Sequence, residues 1–216
     1  MSTLRGLYLQ GFSLQKLPSQ GPKLCLLILV LALAPITQAV ACYEASPARS
    51  DQSLYDVISS PALSQIQHEL LSNFLKRLAK DRDGYSTGYF CKKNIGKVAV
   101  DNDDIRFRAQ SLDDISYRFR VNFVGGNYGN DSERLDYTLT DKQLLLGPNE
   151  RGNDIIIRSL TRSELVTYEK YRQATPNGAN TIREVVRHYY FKNNLTVDNT
   201  YYVNGYLQSE NRWVLH

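Results

Sequence analysis

Apolar and polar positions alternate through most of the chain after residue 80. Ile115, Tyr117, Phe119, Val121 and Phe123 are separated by Ser116, Arg118, Arg120 and Asn122, a period of two that puts all five apolar side chains on one face of a strand. Ile105, Phe107 and Ala109 repeat the pattern over a shorter run, as do Leu135, Tyr137 and Leu139. Further strands are predicted over 84–91, 95–101, 142–146, 154–159 and 163–172. The apolar spacing of 182–191 also suits a helix, but Val185, Val186, Tyr189, Tyr190 and Phe191 are strand formers, so a strand is predicted. Turn-forming stretches at 125–131, 147–153 and 175–178 separate these runs. Val203-Asn204-Gly205-Tyr206 predicts a tight hairpin, because Asn-Gly supplies both positive φ angles of a type I′ turn. Trp213-Val214-Leu215 closes the series as a last strand.

One stretch has a different period. Leu63, Ile66, Leu70, Phe74 and Leu78 recur every three or four residues, with Leu71 and Leu75 widening the stripe and Gln67, His68, Lys76 and Lys80 lying off it. Ser60 as cap and Pro61 at the first helical position predict where this helix begins. Strands spaced by about ten residues without helices between them indicate an antiparallel meander. So many strands leave exposed edges unless the sheet curls and closes. The expected fold is therefore mainly β (α+β): an antiparallel meander forming a small barrel or strongly curved sheet with one amphipathic N-terminal helix. A cone-shaped sheet holding the helix in its concave side is the alternative.

The first 41 residues follow another logic. Arg5, Lys16 and Lys23 are their only charges, Leu24 to Ala34 form a short apolar core, and Ala39-Val40-Ala41 places small residues before Cys42. This is the layout of a secretory signal, too short for a membrane-spanning helix of roughly 20 apolar residues. The expected organisation is a signal over 1–41, a polar lead-in over 42–58 and a single domain over 59–216. The whole chain carries 26 basic and 22 acidic residues, and removing the signal leaves 23 against 22. A near-neutral domain argues against nucleic acid and against attraction to an anionic lipid surface. Two chemistries compete for Cys42. It is the acylated first residue of a lipoprotein, or one half of a disulfide with Cys91 closing a loop of about 50 residues worth roughly 3 to 4 kcal/mol, with two free thiols as the remaining alternative. The expected location is exported: periplasmic, secreted, or held at a membrane only through a lipid on Cys42.

One segment resembles a known family. Leu135 to Leu146, then Asp154-Ile155-Ile156-Ile157-Arg158-Ser159-Leu160-Thr161-Arg162-Ser163-Glu164-Leu165-Val166, with a Tyr-rich late strand at Arg187-His188-Tyr189-Tyr190-Phe191, resembles bacterial lipocalin-like domains over about residues 135–191. The resemblance implies a barrel and assigns no binding residue.

Chemistry-bearing motifs are sparse. His68, His188 and His216 have no metal-ligand spacing. Asp101-Asn102-Asp103-Asp104 starts like a calcium loop but has Arg106 and Leu112 where the loop needs glycine and glutamate, so a polar turn between two strands is expected. There is no nucleophile elbow and no phosphate loop. No metal, catalytic residue or cofactor is expected. Tyrosine is abundant in the last third, interleaved with arginine, and both are enriched at recognition surfaces. Arg187, Tyr189, Tyr190 and Tyr202 are the candidate partner- or ligand-binding residues. The pattern points to a secreted or envelope-located non-enzymatic binding protein that recognises a protein partner or a small hydrophobic ligand. An inhibitor or immunity protein acting on an envelope enzyme is an alternative, as is an envelope hydrolase using His188 with a nearby acid.

Overall fold

A computed structural model describes residues 42, 46, 58–92, 95–125, 132–147, 153–174 and 180–216, the side chains of Asp101 and Asn102 excepted. The stretch expected to be a secretory signal, most of the expected lead-in, and most of the turn stretches at 125–131, 147–153 and 175–178 lie outside the described residues.

Ten antiparallel strands close into a barrel. In chain order they are β1 (Arg82–Lys92), β2 (Gly96–Ser111), β3 (Ser116–Val124), β4 (Ser132–Leu139), β5 (Leu144–Leu146), β6 (Asn153–Leu160), β7 (Glu164–Ala174), β8 (Asn180–Phe191), β9 (Leu195–Val203) and β10 (Tyr206–Leu215). Each strand pairs with its neighbours in sequence, and β1 pairs with β10 to complete the ring. The expected barrel is therefore the observed one, and closure removes both edges of the sheet. The hairpin at Asn204-Gly205 forms as expected, with φ of 51° and 78°.

Closure depends on two glycines. A Cβ on Gly84 would stand 1.9 Å from the carbonyl oxygen of Val214, and one on Gly88 would stand 2.2 Å from that of Glu210. Side chains there would force β1 and β10 apart at the seam.

The helix, α1 (Gln65–Leu78), is the one α-helix among the described residues. It starts later than Ser60-Pro61 predicts: Ser64 is the cap, in a reciprocal box with Gln67, and Ser60 instead donates its backbone N–H to Asp154. Ile66 consequently falls off the apolar face and is 78% exposed. Leu71, Phe74, Leu75 and Leu78 are buried in one core with inward-facing barrel residues such as Phe107, Phe119, Leu139, Leu195 and Trp213. Phe74 meets Phe191 edge to face at 5.3 Å. Thus the helix covers the end of the barrel where β1 begins and β8 ends.

The acidic stretch at 101–104 departs from expectation. It is not a turn between two strands but part of the single long strand β2. The pairing shifts between Ser86 and Gly88 on β1, and this irregularity absorbs the extra residues without ending the strand.

Candidate functional site

The pairing from β7 to β10 stacks the inward side chains in rows. Nearest the helix lie Phe191, Leu195 and Leu215; next come Leu165, Tyr189, Val197 and Trp213, then Thr167, Arg187, Asn199 and Asn211, and beyond them Glu169, Val185, Tyr201 and Ser209. The lumen therefore passes from apolar to polar along its axis. The helix end is filled by leucine and aromatic side chains, and the opposite end carries charge.

Arg187 is the centre of the polar end and is 1% exposed. Its Nε donates to Glu169 at 3.2 Å, one terminal nitrogen donates to Asn199 at 2.7 Å and to the Tyr201 hydroxyl at 3.2 Å, and the other donates to Glu133. Four of its five donors are engaged. Glu133 also accepts from Tyr201 at 2.7 Å, and Asn199 donates to Asn211 at 2.8 Å. Glu169, 1% exposed, accepts from Tyr137 at 2.8 Å. Tyr137 and Tyr189 are 2.8 Å apart at their hydroxyls. Since the one Tyr137 proton goes to Glu169, Tyr189 is the donor of that second bond.

Burial and its neighbours fix the protonation of the arginine and the tyrosines. Burial pulls the Arg187 guanidinium down, but Glu133, Tyr201 and Glu169 outweigh it and hold its pKa well above the usual value. Burial first, then Glu169 and Tyr189, push Tyr137 far up, and burial dominates the rise of Tyr189 and Tyr201 as well. Across the neutral range Arg187 stays charged and the tyrosines stay neutral donors. The arrangement presents fixed hydrogen-bonding groups and has no tyrosine or arginine poised to exchange a proton near pH 7.

Two cavities reach the cluster. One, of about 390 Å³, opens at the mouth opposite the helix and is lined by Phe123, Glu133, Tyr171, Arg183, Tyr201 and Asn211 among others. The other, of about 330 Å³, lies against β4 and β7 and reaches Glu133, Glu169, Tyr171 and Arg187. It sits where the wall is thinnest: β5 has three residues and only Leu145 and Leu146 pair with β6. Glu133 and Tyr171 border both cavities. Burial raises the Tyr171 pKa, keeping that hydroxyl protonated as well.

The four residues singled out in the sequence do not form one face. Arg187 and Tyr189 point into the lumen, while alternation sends Tyr190 to the outer wall. Tyr202, paired with Glu184, is buried on the outer side but borders the mouth cavity. His188 is also on the outer wall, with Nε2 3.6 Å from Glu164, both side chains more than a third exposed. That separation exceeds a hydrogen bond, and His188 borders none of the cavities described here. Glu133, Glu169, Tyr137, Tyr171 and Tyr201 were missed. Their signal was available in part, since Glu169 falls in phase with the apolar Leu165 and Glu133 with Leu135 and Leu139.

Cys42 and Cys91 are both half-buried and carry free thiols, and the Cys42 thiol lies within hydrogen-bonding reach of Cys91. Burial, followed by this neighbour, pushes the Cys91 thiol up to about 12.

No protein-family model, curated protein or solved structure matches the chain. Among the described residues no helix is long and apolar enough to cross a membrane, and no cluster of His, Cys, Asp and Glu could hold a metal ion.

Proposed function

We propose that the chain is an exported, non-enzymatic binding protein whose barrel mouth receives a small, neutral, polyhydroxylated ligand. The observation that carries this reading is the buried Arg187–Glu133–Glu169 cluster beneath the open cavity of about 390 Å³. That size falls at the small end of ligand pockets, which span roughly 300–1,000 Å³. A small hydrophobic ligand is less well served, because the apolar end of the lumen is already occupied by Trp213, Phe119 and the helix. An anionic ligand is also disfavoured: Arg187 has little donor capacity left, and Glu133, Glu169 and Glu184 outnumber Arg183 and Arg187. What remains for a guest is the further acceptor capacity of Glu133, the Tyr171 hydroxyl and Asn211. Hydroxyl groups on a small ring match that set.

The test is a thermal-shift and calorimetry panel of neutral sugars and polyols beside a fatty acid and a nucleotide. A neutral sugar at a hundredfold its Kd is expected to stabilise the fold by about 2.7 kcal/mol. Glu133→Gln is expected to weaken binding while the barrel still folds. Stabilisation by the fatty acid alone would overturn the polar-ligand reading, and tight capture of a protein at an outer wall would replace it.

A further inference from the structure

We propose that Cys42 and Cys91 are joined as a disulfide that ties the chain at Cys42 to the end of β1 at the open mouth. This inference stands apart from the ligand reading.

The geometry comes from five positions ahead of the helix. Cys42 meets Cys91 near the end of β1. Ser46 is buried at the same end, its backbone N–H donating to Gly205 at 3.0 Å in the β9–β10 turn and its hydroxyl donating to Glu184 at 2.9 Å. Ile58 packs on Tyr168, with Ile156 and Val186 beside them. Ser60 is held by Asp154 on β6, and Leu63 donates to Lys142 at 2.6 Å where the helix begins. Cys42 and Ser46 are thus held at the mouth end, and Ile58, Ser60 and Leu63 at the outer wall and the helix end. Ser46 helps to bury a carboxylate: Glu184 is 0% exposed on the outer face and accepts from Ser46 and, at 2.6 Å, from Tyr168.

The two sulfurs stand within reach of each other at the end where Ser46 is held by Gly205 and Glu184. Both are half-buried, so an oxidant can reach them. Formation breaks two S–H bonds and makes one S–S bond. The two electrons and two protons pass to the disulfide of a thiol–disulfide oxidoreductase or of a small-molecule disulfide, which leaves as the dithiol. An exported chain meets such oxidants. A thioether lipid on Cys42 would consume the same sulfur, so the two modifications exclude each other.

The test uses the full chain, exported by its own leader, trapped with a maleimide before and after reduction and mapped by peptide mass. Cys42 and Cys91 are expected in one linked peptide pair, unlabelled until reduced. Reduction of the wild type is expected to speed hydrogen exchange at the Ser46 amide by about tenfold, as local release of its bond to Gly205 requires. Cys91→Ser should show the faster rate with or without reductant. Full labelling of either cysteine before reduction would overturn the proposal, as would a lipid on Cys42 or a bridge from either cysteine to Cys25 or to another chain.

Discussion

Replacing Arg187 with methionine tests the physical role of the polar cluster. The substitution keeps side-chain bulk but removes a guanidinium that is 1% exposed and serves two carboxylates. Their losses differ. Glu133 keeps its bond from Tyr201 and is 25% exposed at the side chain, so water relieves it. Glu169 keeps only the bond from Tyr137 and has a side chain 1% exposed, so most of the penalty falls there. Stranding a buried charge in this way costs about 3–5 kcal/mol. With a urea dependence of about 2 kcal/mol per molar, the unfolding midpoint should fall by about 2 M. Arg187→Lys keeps the charge but loses the fork, and a loss of about 1–3 kcal/mol is expected. The triple variant with Arg187→Met, Glu133→Leu and Glu169→Leu removes every charge together and should recover most of the loss, since apolar replacement of a whole buried cluster is often neutral or better. A loss below about 1 kcal/mol for Arg187→Met, or a triple variant less stable than the single one, would refute the reasoning.

Other consequences are equally direct. Gly84→Ala drives a Cβ against the backbone of Val214 and should cost about 3 kcal/mol, or about 10 °C in Tm, read by calorimetry. Phe74→Ala empties the contact with Phe191 and should cost about 3 kcal/mol in denaturant unfolding, with the helix end losing hydrogen-exchange protection first. For Asp136, burial pushes the carboxyl pKa up, but bonds from Arg134 and Arg118 outweigh it and hold the pKa below its ordinary value. A depressed folded pKa gives stability that is full above the unfolded value of about 3.9 and fades as pH falls through the folded one. Asp136→Asn should therefore lose about 1–2 kcal/mol at pH 7 and little at pH 2, measured as the difference in urea midpoint.

Much of the barrel was legible because a strand's period of two survives any register. The alternation from Ile115 to Phe123 and the Asn204-Gly205 turn are local signals, and the structure keeps both. The helix start was misread for a local reason as well: Ser60-Pro61 has suitable chemistry, but Ser64 with Gln67 forms the reciprocal box that stops fraying. Residues 101–104 look like a turn by composition, yet the bulge beside Gly88 lets one strand run through. The site was only half legible. Arg187 stood out as an arginine among tyrosines, whereas its partners lie on β4, β7 and β9, and nothing along the chain shows that closure brings Glu133 and Glu169 to the same guanidinium. Period two does separate Tyr189 from Tyr190, and that argument alone divides the proposed recognition face between lumen and outer wall.

The most direct test of the binding account is chemical-shift mapping of the isotope-labelled chain titrated with neutral sugars into the millimolar range. The account predicts saturable shifts confined to the mouth, at Glu133, Tyr171, Arg183, Tyr201 and Asn211, with the helix end unmoved. Shifts centred on the outer wall around His188 and Tyr190, or on the helix end, would contradict it.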